Sequence, residues 1–238
     1  MHTTLFEYRD GETICEAFVA APAQDGARRP AVLVSHAWAG QGSFERERAK
    51  ALAELGYVGF AIDVYGKGRR GSSIEENSRL MTPFVEDRAL LRRRLLAAAA
   101  AAAGHPLVDG GRLGAIGFCF GGLCVLDLAR AAAPGLRGVV SFHGLLMPPG
   151  LGPQGRIAAK ALVLHPYDDP MAPPESVATF AREFTEAGSD WQVHMYGHTT
   201  HAFTNPEAND PGRGLLYNAT AARRAYAAAE LFLRECLG

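Results

Sequence analysis

The chain has 238 residues, 48% hydrophobic and 21% charged, with a formal net charge of -1, a composition that fits an ordinary soluble globular protein folded as a single domain over 1–238. Near-neutral charge argues against polyanion binding as the main role, so no nucleic-acid partner is expected. No run nears the roughly 18 apolar residues of a membrane span, the opening MHTTLFEYRDGE lacks a signal-peptide pattern, and four scattered cysteines without a C-x-x-C pair fit a reducing cytoplasm better than a disulfide framework.

Taken in order, residues 4–8 and 13–20 read as strands about the hairpin signal Asp10-Gly11. The stretch 22–29 is polar and turn-rich, 31–35 is a short apolar strand, and 44–55 is an amphipathic helix stopped by Gly56. A strand at 57–62 leads into a loop-like excursion over 64–83 that carries Lys67, Arg69 and Arg70 among glycines. Residues 84–103 then read as one long helix, strongly helix-forming through the alanines of 97–103, with the charged part 87–94 as a solvated face. Beyond the central strand, which holds Leu113, Ala115 and Ile116, helical spacing resumes at 123–133. Strands follow at 136–142, 161–165 and 191–196, and helices at 174–187 and 216–236. Strands alternating with helices predict an α/β fold: a mainly parallel central sheet with helices on both faces and an N-terminal antiparallel hairpin. Ligands of such sheets gather beyond the carboxyl ends of the strands.

The segment RLGAIGFCFGG at 112–122 reads strand, sharp turn, helix, which is the nucleophile elbow G-x-S-x-G with Cys119 in place of serine. Glycine is needed there because the turn is strained and neighbouring side chains would strike the adjoining strand and helix. Cys119 would project from the turn toward the positive end of the following helix, which suits a negatively charged sulfur. The plainer reading makes Cys119 one more small buried residue.

A nucleophile needs a base and a group that orients the base. His201 lies in the loop after the strand 191–196, and Asp168 and Asp169 follow the strand 161–165, so the order is nucleophile, acid, histidine, as in the α/β-hydrolase triad. Adjacent loop residues point apart, and Asp169 is favoured over Asp168 as the partner of His201. His194, His198 and His201 have zinc-like spacings, but these converge on a helix and this segment reads as strand and loop, so neither a metal nor a cofactor is expected. His143 and His165 end strands near the same rim, as pocket lining or satisfied core groups. The oxyanion hole is expected from the backbone N–H groups of Phe120 and of Ala37, in the loop after the strand 31–35, with His36 and Trp38 flanking the pocket. Asn218-Ala219-Thr220 matches a glycosylation acceptor and is read as chance.

GFCFGG at 117–122, DDPMAPPE at 168–175 and HAFTNP at 201–206 resemble the dienelactone hydrolase (carboxymethylenebutenolidase) family, within the α/β-hydrolase fold. SHAWAG, AELGYVGFAIDVYGKG at 53–68 and the tail ANDPGRGLLYNATAARRAY extend the likeness over nearly the whole chain. The resemblance implies Cys119 as nucleophile, Asp169 as carboxylate, with Pro173 four residues on, and His201 as base. It implies a small lactone or activated ester as substrate. Two departures stand out: His36 occupies the place of a family glutamate that holds the resting thiol, and Asn205 that of an arginine that grips a substrate carboxylate. Arg79 or a basic residue of the 67–70 loop is the candidate replacement for that grip, or else a surface ion-pair former. A broader carboxylesterase or thioesterase, and a silent binding protein for small carboxylates, are the rival readings. Oligomeric state leaves no mark in the sequence.

Overall fold

Eight strands form one sheet in the computed structural model, which describes residues 1–23 and 26–238; residues 24 and 25, inside the turn-rich stretch read at 22–29, lie outside the described residues. β1 (His2–Asp10) and β2 (Thr13–Ala21) close the expected antiparallel hairpin, with Gly11 at φ +56°, a conformation glycine adopts without steric cost. The next strands in the chain are β3 (Arg29–Ser35) and β4 (Val58–Ala61), followed by β5 (Val108–Phe118), β6 (Leu136–Phe142), β7 (Lys160–Pro166) and β8 (Trp191–Tyr196). Across the sheet the order is β1-β2-β4-β3-β5-β6-β7-β8, and every pairing from β4 to β8 is parallel. Six of the seven residues of β3 are buried, as a strand covered on both faces requires.

Helices α1 (Ser43–Glu54) and α6 (Ala219–Leu237) pack on one face around Leu52, Phe232 and Leu233. The other face carries α2 (Ile74–Glu86), α3 (Arg88–Ala103), α4 (Phe120–Arg130) and α5 (Pro174–Glu186) over a core that includes Leu91, Leu95, Leu126 and Phe180. Because the chain runs from β3 outward to β4 and then returns to β5 on the other side, strand order reverses between β3 and β5. A crevice opens at their carboxyl ends, where sheets of this kind bind ligands.

Four expectations are corrected. The excursion at 64–83 is half helix: Ser73 caps α2 by accepting from Glu76 N–H at 3.2 Å, while the Glu76 carboxylate accepts from Ser72 N–H at 2.8 Å. The single helix at 84–103 is two, because Asp87 leaves the helical conformation and its carboxylate accepts from Leu90 N–H at 2.9 Å to start α3. Nor is 87–94 solvated throughout: Arg92 and Arg93 are exposed, but Arg88 and Arg94 are buried. Arg88 makes a buried two-pronged ion pair with Asp127 (2.6 and 2.8 Å), and Arg94 reaches Asp10 at 2.9 Å and the Val64 carbonyl at 2.7 Å. These pairs tie α3 to α4 and to the N-terminal hairpin. The closing helix also begins later than position 216, because the segment before it forms two short strands, β9 (Asn209–Asp210) and β10 (Leu215–Leu216). No helix of the described residues is long and apolar enough to cross a membrane.

Candidate active site

The turn between β5 and α4 is built as its glycines foretell. Cys119 sits at φ +56°, ψ -117°, a strained conformation for a residue with a side chain. A Cβ on Gly117 would lie 1.9 Å from the Gly121 carbonyl oxygen, and one on Gly121 would lie 2.2 Å from the Ser35 carbonyl at the end of β3. Nothing larger than glycine lets helix and strands close on the turn. Cys119 is part-exposed at the floor of a cavity of about 600 Å³, whereas Cys15, Cys124 and Cys236 are buried. Burial pushes the thiols of Cys15 and Cys236 up to about 11 and that of Cys124 higher still.

His201 and Asp169 meet beside it. His201 Nδ1–H donates to Asp169 Oδ2 at 2.7 Å, and the other carboxylate oxygen accepts from Met171 N–H at 2.8 Å, so both carboxylate oxygens are held in a buried setting. Asp168, by contrast, is exposed. His201 Nε2 is buried and has no hydrogen-bond partner among the described residues. Burial by itself lowers the imidazole's affinity for a proton, but the charge of Cys119 and the Asp169 hydrogen bond outweigh it and push His201 up to about 10. The loop that carries His201 is held by later residues: Leu216 N–H donates to the His201 carbonyl at 3.2 Å, and Asn218 N–H to that of Phe203 at 3.1 Å. Asn218 also donates through Nδ2 to Thr199 at 3.2 Å and caps α6, which gives this residue of the N-A-T triplet a structural task.

His143 is the site residue that the sequence left undecided. Cys119 N–H donates to the Phe142 carbonyl at 3.1 Å and to His143 Nδ1 at 3.2 Å. Nδ1 is therefore the acceptor, and Nε2–H donates to Thr204 Oγ1 at 2.8 Å. Burial first, and the neighbouring His201 second, hold the ring neutral well below the usual histidine range. The strained turn is thus joined through one imidazole to the histidine loop. Strain gathers here: Cys119, His143 and Ala202 are three of the five non-glycine residues with positive φ among the described residues. His165 neither lines the cavity nor finds a hydrogen-bond partner among the described residues.

Phe120 opens α4, and the first N–H groups of a helix lack intrahelical acceptors. Ala37 lines the same cavity from the loop after β3. That loop is pinned by Gln41, which donates to the carbonyls of Glu16 (3.1 Å) and Ala61 (3.0 Å), and by Glu45, which accepts from Gly42 N–H at 2.7 Å and, at a longer 3.4 Å, from Ala37 N–H. Neither Gln41 nor Glu45 was marked by sequence reasoning, although Glu45 stands three residues after Gly42, where a helix-capping carboxylate belongs.

Trp38 and Asn205 line the cavity, with Phe44, Met81, Leu145 and Met171. Two expected pocket residues do not. His36 is wholly buried behind the loop, its Nδ1–H donating to the Ala37 carbonyl at 2.7 Å and its Nε2 accepting from Val64 N–H at 3.1 Å. Both nitrogens are spent on backbone, so the ring braces the loop. Arg79 lies on an exposed face of α2, away from the cavity lining. Lys67 pairs with Glu7 and Glu16, Arg69 holds the Tyr65 carbonyl, and Arg70 holds Gln41. His194 and His198 are exposed while His201 is buried, and no group of three or more metal-binding side chains converges among the described residues.

A parallel sheet with a strained cysteine turn and a paired imidazole and carboxylate at its carboxyl ends is the arrangement of an α/β-hydrolase. A protein from metagenomic libraries, described as the dienelactone hydrolase-like promiscuous phosphotriesterase P91, is 37% identical with a TM-score of 0.94, over 100% of this chain and 99% of that one. A Bradyrhizobium protein named as a probable 2-oxo-3-(5-oxofuran-2-ylidene)propanoate lactonase is 28% identical over 79% of this chain and 78% of its own. The dienelactone hydrolase of Anabaena variabilis shares the fold at 20% identity and a TM-score of 0.71, over 100% of this chain and 99% of that one. The chain belongs to the dienelactone hydrolase family, whose model matches residues 15–237, and is a lactone or ester hydrolase.

Proposed function

We propose that this protein cleaves activated carboxylic esters and enol-lactones through Cys119, with His201 and Asp169 completing a triad. The observation that carries the proposal is the strained Cys119 sharing one cavity with an imidazole fixed at 2.7 Å by a buried carboxylate. The Cys119 sulfur attacks the carbonyl carbon, and the displaced electron pair on oxygen is received by the N–H groups of Ala37 and Phe120. The Ala37 amide exchanges its long bond to Glu45 for this oxyanion. Donors of this type are worth roughly 10²–10³ in rate. Collapse expels the alcohol or enolate, which takes the proton of His201 Nε2 and leaves a thioester.

The same imidazole then serves as base. Its raised proton affinity rests chiefly on the charge of Cys119, and that charge disappears once the sulfur is acylated. Burial is then opposed by Asp169 alone, and His201 Nε2 is free to take a proton from water. Hydroxide adds to the thioester, the thiolate leaves, and the carboxylic acid departs with the ion pair restored. A thiolate is expelled more readily than an amine or a poor alkoxide, so amides are expected to be weak substrates. The relative P91 is described as acting on phosphotriesters, whose phosphorus centre suits the same nucleophile, and a phosphotriester belongs in the substrate panel.

The test is turnover of a p-nitrophenyl ester and of a dienelactone by wild type and Cys119→Ala. Ester hydrolysis lost in the variant supports the proposal, and dienelactone hydrolysis fixes whether the family substrate is retained. No Cys119-dependent turnover of either would leave a binding protein in its place.

A further inference from the structure

Charge in the cavity is arranged in a way that hydrolysis alone does not call for. Among the described residues, the cavity lining holds three acidic side chains, Glu45, Glu207 and Asp210, against two basic ones, Arg213 and the raised imidazole of His201, which is already bonded to Asp169 at 2.7 Å. Arg213 is already spent, its Nε donating to Asp210 Oδ2 at 2.6 Å. Glu45 is the acid that matters most, because it is only 4% exposed and its carboxylate oxygens lie on the N–H groups of Gly42 and Ala37. A substrate carboxylate in the cavity meets that buried charge, and each cation of the lining is already paired with a carboxylate, Arg213 with Asp210 and His201 with Asp169. Trp38, Phe118 and Leu145 add aromatic and aliphatic surface to the lining.

We propose that Glu45 is a specificity-determining residue that confines the cavity to uncharged esters and lactones and rejects those whose acyl part ends in a carboxylate. The proposal rests on the reading of Cys119 as the ester-cleaving nucleophile. Like charges about 6 Å apart, at an effective dielectric near 20, correspond to a discrimination of roughly 10²-fold.

Two measurements separate this proposal from the reading beneath it. The first compares kcat/KM for p-nitrophenyl hexanoate and mono-p-nitrophenyl adipate, which differ in a terminal carboxylate, in wild type and Glu45→Gln. Wild type is expected to favour the hexanoate by about 30-fold or more after correction for intrinsic ester reactivity, and Glu45→Gln to narrow that preference about tenfold. The second compares alkylation of Cys119 by neutral iodoacetamide and anionic iodoacetate, each relative to the unfolded chain, and needs no turnover. Cys119-dependent hydrolysis of both esters at similar kcat/KM, or a preference unchanged in Glu45→Gln, overturns charge selection and leaves the esterase reading intact. Hydrolysis of neither ester, with iodoacetate still excluded by wild type and admitted by Glu45→Gln, overturns the esterase reading and supports charge selection. Should Glu45→Gln fail to fold, the wild-type alkylation ratio decides: a ratio equal to that of the unfolded chain overturns the proposal, and a ratio tenfold lower for iodoacetate supports it.

Discussion

Replacing Cys119 with alanine removes the charge that most raises His201, and the effect should be visible in the proton affinity of that one ring. The rise from an ordinary value near 6.5 to about 10 is on the order of 5 kcal/mol of preference for the imidazolium, at roughly 1.4 kcal/mol per pH unit. With Cys119→Ala, burial continues to lower His201 and only the 2.7 Å bond to Asp169 raises it. The expected outcome is a clear fall of His201 from its value of about 10, because the largest raising contribution is gone. The assay is an NMR pH titration of the histidine ring signals in the two proteins, with His201 assigned by a His201→Gln control. The sign carries over to kinetics. His201 holds its proton below its raised value and loses it above, so kcat/KM, which reports the free enzyme, should keep its full value through neutral pH and decline on an alkaline limb near 10. A His201 that still titrates near 10 without Cys119 would show that the carboxylate holds the proton. The exchange of roles from acid to base on acylation would then be refuted.

Asp169→Asn should lower kcat by as much as about 10⁴-fold, the scale seen when the orienting carboxylate of a triad is lost, whereas Asp168→Asn should stay within about twofold; steady-state kinetics on one ester separates them. Gly121→Ala places a Cβ 2.2 Å from the Ser35 carbonyl, and overpacking of about 3 kcal/mol corresponds to a Tm lower by roughly 6–12 °C. Gly155→Ala, whose Cβ meets nothing within 4 Å, should leave Tm within about 1 °C, both by calorimetry. Asp127→Ala strands the buried Arg88, while Arg130 keeps Glu183 at 2.7 Å, and should cost about 3–5 kcal/mol in denaturant unfolding. His143→Phe keeps an aromatic ring but removes the bridge between Cys119 N–H and Thr204; a fall of about 10²-fold in kcat with little change in Tm would mark displacement of the nucleophile.

The sheet was legible where burial is two-sided. β6 falls where the apolar run at 136–142 places it, the edge strand β8 spans the expected 191–196 although none of its residues is buried, and the glycines of the cysteine turn foretell its geometry because they answer a local clash. Hidden features depend on partners distant in the chain. Arg88 and Arg94 look like part of a solvent face until Asp127 and Asp10 are brought against them. Asp87 ends one helix and begins another, a double role that an unbroken helical pattern conceals. His36 was read at the pocket because it adjoins an oxyanion donor; its ring instead turns to the backbone of Val64. Two-residue strands such as β9 and β10 have no periodicity to detect at all.

The bridge from His201 to Leu215 also orders events during synthesis. By the time the ribosome has passed position 201, every side chain of the proposed triad has been made, yet the segment that stitches the histidine loop has not. A nascent or truncated chain that stops before 215 carries the full set of reactive groups with the base untethered. Seating of the histidine loop therefore depends on residues that follow it, and a chain stopped just before Leu215 should leave His201 untethered although Cys119, Asp169 and His201 are all present.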